Sequence, residues 1–344
     1  MNAKRFVRYS LLNLLGLLLL YLGLFYYQLG ADLKSESSEI EISYLVKDAK
    51  AQRIGPARKI ILLSGSNALF GIDSALLEQL TGLPVLNLAV HVSLDIDYLY
   101  FKMQQYIGAG DIVVMPLEYN HYSREGYSGW FVHNMMVWQA DFFHSLPLPD
   151  KLRFIVNVDP LRLLQGISGR WRNGLYQSPQ GILDNLRRLI DNEGVKWRGY
   201  SYTSMNLDGD ISVDEPENVP VKQGYIPQPP TVSAHFLNTY QKISQLAARS
   251  QASLILTHPV TFRNDQYDLN QPGHRERADN LTRLLQNNGI HLQCDPALFH
   301  LDSQYAFDTF YHTNRQGAHI RTQNLARCIQ AALAQPLEPG SQLH

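Results

Sequence analysis

Residues Lys59 to Asp73 read KIILLSGSNALFGID, and this stretch decides the fold. The run Ile60-Ile61-Leu62-Leu63 is short, apolar and partly β-branched, and the small residues Ser64-Gly65-Ser66 bound it. Unbroken apolar character, without alternation, is what a parallel strand buried on both faces requires. Asp73 then stands where a helix N-cap belongs, so the segment predicts strand, turn and a helix from Ser74 to Leu80. Gly82-Leu83-Pro84 breaks that helix before a second strand, Val85 to Asn87.

The same grammar continues on either side of a long interruption. Leu94 to Tyr106 reads as a helix, Gly108-Ala109-Gly110 ends it, and Asp111 leads into a third strand from Ile112 to Met115. The pattern resumes with a helix from Ala234 to Arg249, a strand from Ser253 to Thr257 and a helix near Arg275 to Asn287. A short strand, Ile290 to Gln293, and a last helix, Arg315 to Ala334, complete it. Alternating strands and helices predict an α/β fold, a parallel sheet flanked on both faces by helices. Ligands of such sheets gather beyond the carboxyl ends of the strands, where Ser66, Asn120 and His258 fall.

From Tyr119 to Pro230 the alternation lapses. This segment carries Trp130, Trp138, Trp171, Trp197, Tyr200 and Tyr202 and reads as a large helical or irregular insertion, placed to cover or shape a site. Core packing explains most of these aromatics, and a sugar-binding platform is the functional alternative for a few.

The N-terminus assigns a compartment. No charged residue occurs from Tyr9 to Ala31, and Leu11 to Leu29 is dominated by Leu, Phe and Tyr. That matches the ~20 residues a bilayer-spanning helix needs. Lys4, Arg5 and Arg8 precede it and should stay cytoplasmic, leaving the bulk of the chain outside. A cleaved signal peptide would have a shorter apolar region ending in a small-x-small site, whereas Phe25-Tyr26-Tyr27-Gln28 closes this one. Expected boundaries are therefore a cytoplasmic tip and transmembrane anchor over 1–31, a polar stalk over 32–57 and a periplasmic α/β domain over 58–344, with its insertion at about 119–230. The expected location is the inner membrane, single-pass.

With 344 residues, 45% of them apolar, the chain has ample material for a packed core. A net charge of -1 with no basic run argues against nucleic acid as a partner. Cys294 and Cys328 sit in a compartment where disulfides persist, so they either pair or remain buried thiols. No metal pattern surrounds them, and no cofactor motif is evident.

Chemistry concentrates at the two ends of the α/β pattern. A serine hydroxyl needs a base to take its proton and a group to orient that base. Ser66 lies in a strand-to-helix turn, and FDTFYHTNRQG (Phe307 to Gly317) supplies His312 with Asp308 before it. In these residues the chain resembles the SGNH, or GDSL-like, hydrolases, particularly the membrane-anchored branch that modifies cell-surface polymers, including proteins of alginate acetylation and teichoic-acid D-alanylation. The resemblance covers roughly 59–120 and 253–334 and implies a flavodoxin-like sheet. It implies Ser66 as nucleophile, His312 as base, Asp308 as its orienting group and Asn120 in the oxyanion hole. Ser64-Gly65 replaces the family's usual Gly-Asp, and no glycine in Asn87 to Ser93 matches its second block. Three residues rather than two separate Asp308 from His312, which keeps Asp302 in reserve.

The implied function is a serine-dependent acyl, chiefly acetyl, esterase or O-acyltransferase acting on an exported or cell-surface polysaccharide or other acylated polymer. A membrane-bound O-acyltransferase or an export complex is the implied protein partner. The alternative is a non-catalytic carbohydrate-binding or scaffold subunit of such a complex. Other constellations are weaker. Glu118 reads equally as a support for the site or a substrate contact. Asn206 to Asp210, with Glu217 beyond, imitates a calcium loop but has Ile211 where glycine is required. His91, Asp95 and Asp97 read as solvated groups at a helix start rather than metal ligands.

Overall fold

The computed structural model describes residues 2–31, 39–169, 178–214 and 221–334. The elements begin α1 (Ala3–Gln28), α2 (Glu39–Ile54), β1 (Ile60–Leu62), α3 (Ser66–Gly71), α4 (Ser74–Thr81), β2 (Val85–Asn87), α5 (Ile96–Tyr106), β3 (Ile112–Pro116) and α6 (Asn120–Ser123). Next come α7 (Gly129–Trp138), α8 (Ala140–Ser145), α9 (Leu148–Val156), α10 (Pro160–Gly169) and α11 (Pro179–Glu193). Last are α12 (Ala234–Arg249), β4 (Ser253–Thr257), β5 (Thr261–Phe262), α13 (Pro272–Gln286), β6 (Leu292–Gln293), β7 (His300–Leu301) and α14 (Arg315–Ala334).

Two compact units emerge, one of Met1–Ser38 with Tyr127–Gln177 and one of Glu39–Gly126 with Ser178 onward. The second holds a fully parallel five-stranded sheet in the order β2-β1-β3-β4-β6. Alternate residues of each strand feed opposite layers, as the pleat demands. Ile61, Leu86 and Val113 pack with Leu99 of α5, Phe236 and Ile243 of α12 and Leu281 of α13. Ile60, Leu62, Val85 and Val114 pack with Phe70 of α3, Leu77 of α4 and Leu325 and Ile329 of α14. The expected α/β architecture, a parallel sheet between helical layers, is therefore what the chain adopts. Winding reverses between β1 and β3, and the crevice at such a switch point is where open α/β sheets bind ligands.

Local signals behave as their chemistry dictates. Asp73 caps α4 by accepting Leu76 N–H at 3.0 Å, and Gly82 closes that helix with φ 71°. The helix expected from Leu94 starts at Ile96 because Asp95 caps it through Asp97 N–H.

Two expected boundaries change. The stretch expected as a polar stalk contains α2, whose Tyr44, Val46 and Lys47 are buried within the α/β unit. Lys47 is tolerated there because its ammonium donates to the carbonyls of Asn87 (2.7 Å) and Gly209 (2.9 Å), while burial lowers its pKa to about 8. The expected single insertion divides: α7 to α10 belong to the unit of α1, whereas α11 lays Ile182 and Leu186 into the sheet's core. The first part is the more aromatic, but apolar faces in either part say only that they are buried, not against which core.

In the other unit α1 is long and apolar enough to cross a membrane, in keeping with a single-pass anchor. Its second half is not bare. Phe25 meets Phe143 and Phe154 at centroid distances of 5.1 and 6.3 Å, and Tyr21 places its hydroxyl 2.6 Å from the Ile155 carbonyl.

Candidate functional site

The β1–α3 turn puts Ser66 at the first position of α3, with Gly65 as its N-cap. Ser64 Oγ donates to the Pro116 carbonyl at 2.7 Å, and Asn67 Nδ2 donates to Ser64 Oγ at 2.7 Å, which ties the turn to the end of β3. Glu118, wholly buried, accepts the backbone N–H of Gly65 at 3.1 Å and of Asn67 at 3.0 Å. A side chain at position 65 would put its Cβ 2.5 Å from Glu118 Oε1 and 2.6 Å from Val92 Cα, so only glycine fits.

Opposite Glu118, the buried guanidinium of Arg321 donates to the carbonyl and side-chain oxygen of Asn67. Burial lowers its pKa to about 9, and the Glu118 charge opposes that fall. Two buried charges thus clamp the turn from the β3 and α14 sides. Among the described residues, the hydroxyl of the partly buried Ser66 has no hydrogen-bond partner.

His312 occupies the next turn of the same surface. Phe70 is four residues past Ser66 on α3, and side chains at that spacing share a face about 5–6 Å apart. The His312 ring stacks on Phe70 at 4.1 Å and 10°, and Thr313 Oγ1 donates to the Phe70 carbonyl at 2.7 Å. His312 Nδ1 lies 2.8 Å from Asp308 Oδ1. The three-residue spacing is accommodated because Phe307 N–H closes a loop onto the His312 carbonyl at 2.8 Å, which folds Asp308 back beside the imidazole. Asp302 instead pairs with Arg263 at 2.7 Å. With Asp308 on Nδ1, Nε2 is the ring nitrogen left for proton transfer.

Tyr200, from the insertion, donates its hydroxyl to Asp308 Oδ2 and lies 3.5 Å from His312 Nδ1. Trp197 packs edge-on to Phe70 and Phe307, so a wall of Phe70, Phe307, Trp197 and Tyr200 borders the imidazole. Such apolar surroundings exclude water from one side of the base.

Asn120 opens α6, exposed, two residues beyond Glu118, and its side chain makes no hydrogen bond among the described residues. His258 is buried with Nδ1 3.0 Å from the Tyr119 hydroxyl, and burial pulls its pKa down to about 3, leaving a neutral structural histidine. His91 and His121 are likewise pushed down, chiefly by burial, with Glu118 opposing both.

Of the acidic residues considered as metal ligands, Asp95 and Asp97 lie beside His235 rather than His91, with ligand atoms within 4.8 Å. They are engaged as an α5–α12 tie: His235 Nε2 contacts Asp95 at 2.7 Å, Thr239 donates to Asp97 at 2.5 Å and Lys242 lies 3.7 Å from Asp97. In the calcium-like stretch, Asn206 Oδ1 accepts Asp208 and Asp210 N–H, each at 2.9 Å. Asp210 is buried and accepts from Ser74 and Asn87, so the stretch is an internal turn; Glu217, like Trp171, lies outside the described residues. Cys294 and Cys328 form a disulfide.

Neither family models nor curated proteins yield a match to this chain.

Sequence reasoning singled out Ser66, Asn120, Asp308 and His312 but not Phe70 or Arg321; it named Tyr200 only among the aromatics of the insertion and left Glu118 undecided. Arg321 carried a legible signal: it is a lone cation on the α14 face defined by Ala318, Thr322 and Leu325. A buried charge on a core-facing stripe implies a buried partner. Nothing in the sequence set Tyr200 apart from the other aromatics of the insertion.

Proposed function

We propose that the protein is a serine-dependent acyl, chiefly acetyl, esterase or O-acyltransferase of the SGNH-like kind its sequence resembles, acting outside the inner membrane on an exported or cell-surface polysaccharide. One observation carries this reading: the Asp308–His312 pair is stacked one helical turn from Ser66 at the sheet's switch point. Ser66 Oγ attacks the acyl carbonyl while His312 Nε2 takes its proton, and Asp308 holds the imidazolium. Glu118 occupies the N–H groups of Gly65 and Asn67, so the oxyanion falls to the Ser66 N–H and the Asn120 amide. His312 then returns the proton to the departing alcohol. Water or a sugar hydroxyl, deprotonated by His312, takes the acyl group and frees Ser66. Trp197 and Tyr200 are suited to face a sugar ring. A membrane-bound O-acyltransferase or export complex is the natural partner, and the disulfide favours an oxidising compartment.

The test is turnover of an acetyl ester together with labelling by a serine-directed phosphonate. Ser66→Ala should remove labelling and lower turnover on the order of 10³-fold or more. Retention of both in that variant overturns the proposal. A non-catalytic carbohydrate-binding subunit is the second reading, favoured by the unbonded Ser66 hydroxyl. Wild-type protein that binds glycan but never takes the label would establish it.

A further inference from the structure

The unit built on α1 presents apolar side chains outward on two helices other than α1. On α9, Leu148, Leu152 and Val156 recur every four residues, and on α10, Leu161, Leu164 and Ile167 recur every three; all are 42–75% exposed. Both helices have a separate inward stripe, with Phe154, Ile155 and Leu163 buried. Their outward leucines are therefore surplus to the unit's own core. In water such a doubly apolar helix pair is a liability, and its usual meaning is an interaction surface.

The depth of these helices along α1 identifies the occupant. A bilayer's hydrocarbon is ~30 Å thick, about 20 residues of helix. The last charge of the basic flank is Arg8, so a span of that length starting at Tyr9 runs to the end of α1. Large side chains of α1 are exposed continuously from Phe6 to Leu20 and again at Tyr26 and Tyr27, whereas on the covered side Tyr21 bonds the carbonyls of Ile155 (2.6 Å) and Val158 (2.8 Å) and Phe25 is fully buried. Gln28 donates to the Leu163 carbonyl and accepts from Arg162 at 2.8 Å. The α9–α10 pair therefore flanks the part of α1 that must itself lie in the outer leaflet.

We propose that α9 and α10 form a membrane-embedded collar around the anchor, with Leu148, Leu152, Val156, Leu161, Leu164 and Ile167 in contact with lipid. Both helices contact the spanning helix, and amphipathic helices of this kind lie about 5–10 Å into the headgroup and acyl boundary. The connection between the helices sets the limit of insertion. Asp159, which accepts Leu161 N–H at 2.9 Å, keeps a carboxylate at that turn, so the collar stays at the interface and does not cross.

The proposal rests on α1 spanning the membrane, and the experiment separates the two. The full chain is reconstituted in phosphatidylcholine–phosphatidylglycerol vesicles with a nitroxide at Leu152→Cys, Val156→Cys or Leu164→Cys, the native cysteines being held in their disulfide. Leu14→Cys in α1 serves as the lipid reference and Asp184→Cys on α11 as the aqueous one. Collar labels should be several-fold more accessible to oxygen than to a water-soluble nickel complex, as at Leu14. Accessibility equal to that at Asp184 overturns the collar, and exclusion of both reagents assigns the face to a protein partner or a second copy, which also overturns it. An aqueous signal at Leu14 overturns the anchor itself. Photolabelling of unsubstituted protein with a diazirine phospholipid needs no variant. Adducts within 148–167 are expected, and adducts confined to α1 count against the proposal.

Discussion

The two halves of the candidate site are held by different physics. The Ser66 turn is clamped by buried charge and by the lack of any space beside Gly65, whereas His312 is held by a partly exposed aromatic wall and a hydroxyl from the insertion. Backbone tied to two buried charges has one arrangement. The imidazole and Asp308 are buried too, each side chain 7% exposed, but the hydroxyl that supports them comes from Tyr200, more than half exposed, and water can replace it. The position of the Ser66 hydroxyl is thus set wholly from inside the fold, while the base draws one of its supports, Tyr200, from the surface.

The largest expected effect is Glu118→Gln, which replaces the wholly buried carboxylate that accepts the Gly65 and Asn67 N–H groups with an amide that carries donors of its own, and removes the charge that opposes the fall in the Arg321 pKa. Urea unfolding should show a loss of about 3 kcal/mol or more, since a buried donor left unsatisfied costs about 1–3 kcal/mol and more where the lost partner was charged. A loss below 1 kcal/mol would erase the contrast between the two halves. Pairing it with Arg321→Met should recover part of the loss.

Gly65→Ala comes next. Its Cβ meets backbone as well as carboxylate, so overpacking should cost about 1–3 kcal/mol by the same measurement. Wild-type stability in this variant would show the turn to be pliable.

Acid should reach the clamped half through His258, bonded to the Tyr119 that follows Glu118. Its folded pKa, about 3, lies below that of the unfolded chain, so in the window between them the unfolded state binds a proton that the folded state refuses. Stability therefore falls as pH drops from about 6.5 towards 3, by about 1.4 kcal/mol per pH unit from this group. A His258→Asn variant with an unchanged slope of stability against pH would remove His258 from the account.

The smallest effect belongs to the other half. Tyr200→Phe removes one exposed hydrogen bond to Asp308 and should cost about 1 kcal/mol or less in stability. Under the proposed mechanism its effect should appear instead in the pH profile of turnover, and a stability loss as large as that of Glu118→Gln would contradict the division.

How much of this was legible follows from sequence range. The strands at Ile60, Val85, Ile112 and Ser253 announce themselves because fully buried strands must be continuously apolar, and Asp73 and Gly82 mark α4 through caps that act within a few residues. The Asp308–His312 contact is nearly local, closed by one hydrogen bond between Phe307 and His312. Glu118 and Arg321 stand more than half the chain apart, and neither reveals that it meets the turn around Ser66. Nor does any local pattern distinguish α7 to α10, which join α1, from α11, which joins the sheet, because amphipathicity says that a face is buried but not against what.

The sequence by itself determined the alternation of strands and helices, the apolar N-terminal helix and the candidate residues Ser66, Asn120, Asp308 and His312, because periodicity, capping and residue chemistry act locally. Only the tertiary structure decided that Asp308 rather than Asp302 reaches His312, that Cys294 meets Cys328, and that Glu118 and Arg321 clamp the turn around Ser66. These depend on strand order and helix packing, which bring together groups far apart in the chain by the burial of apolar faces that carry no address.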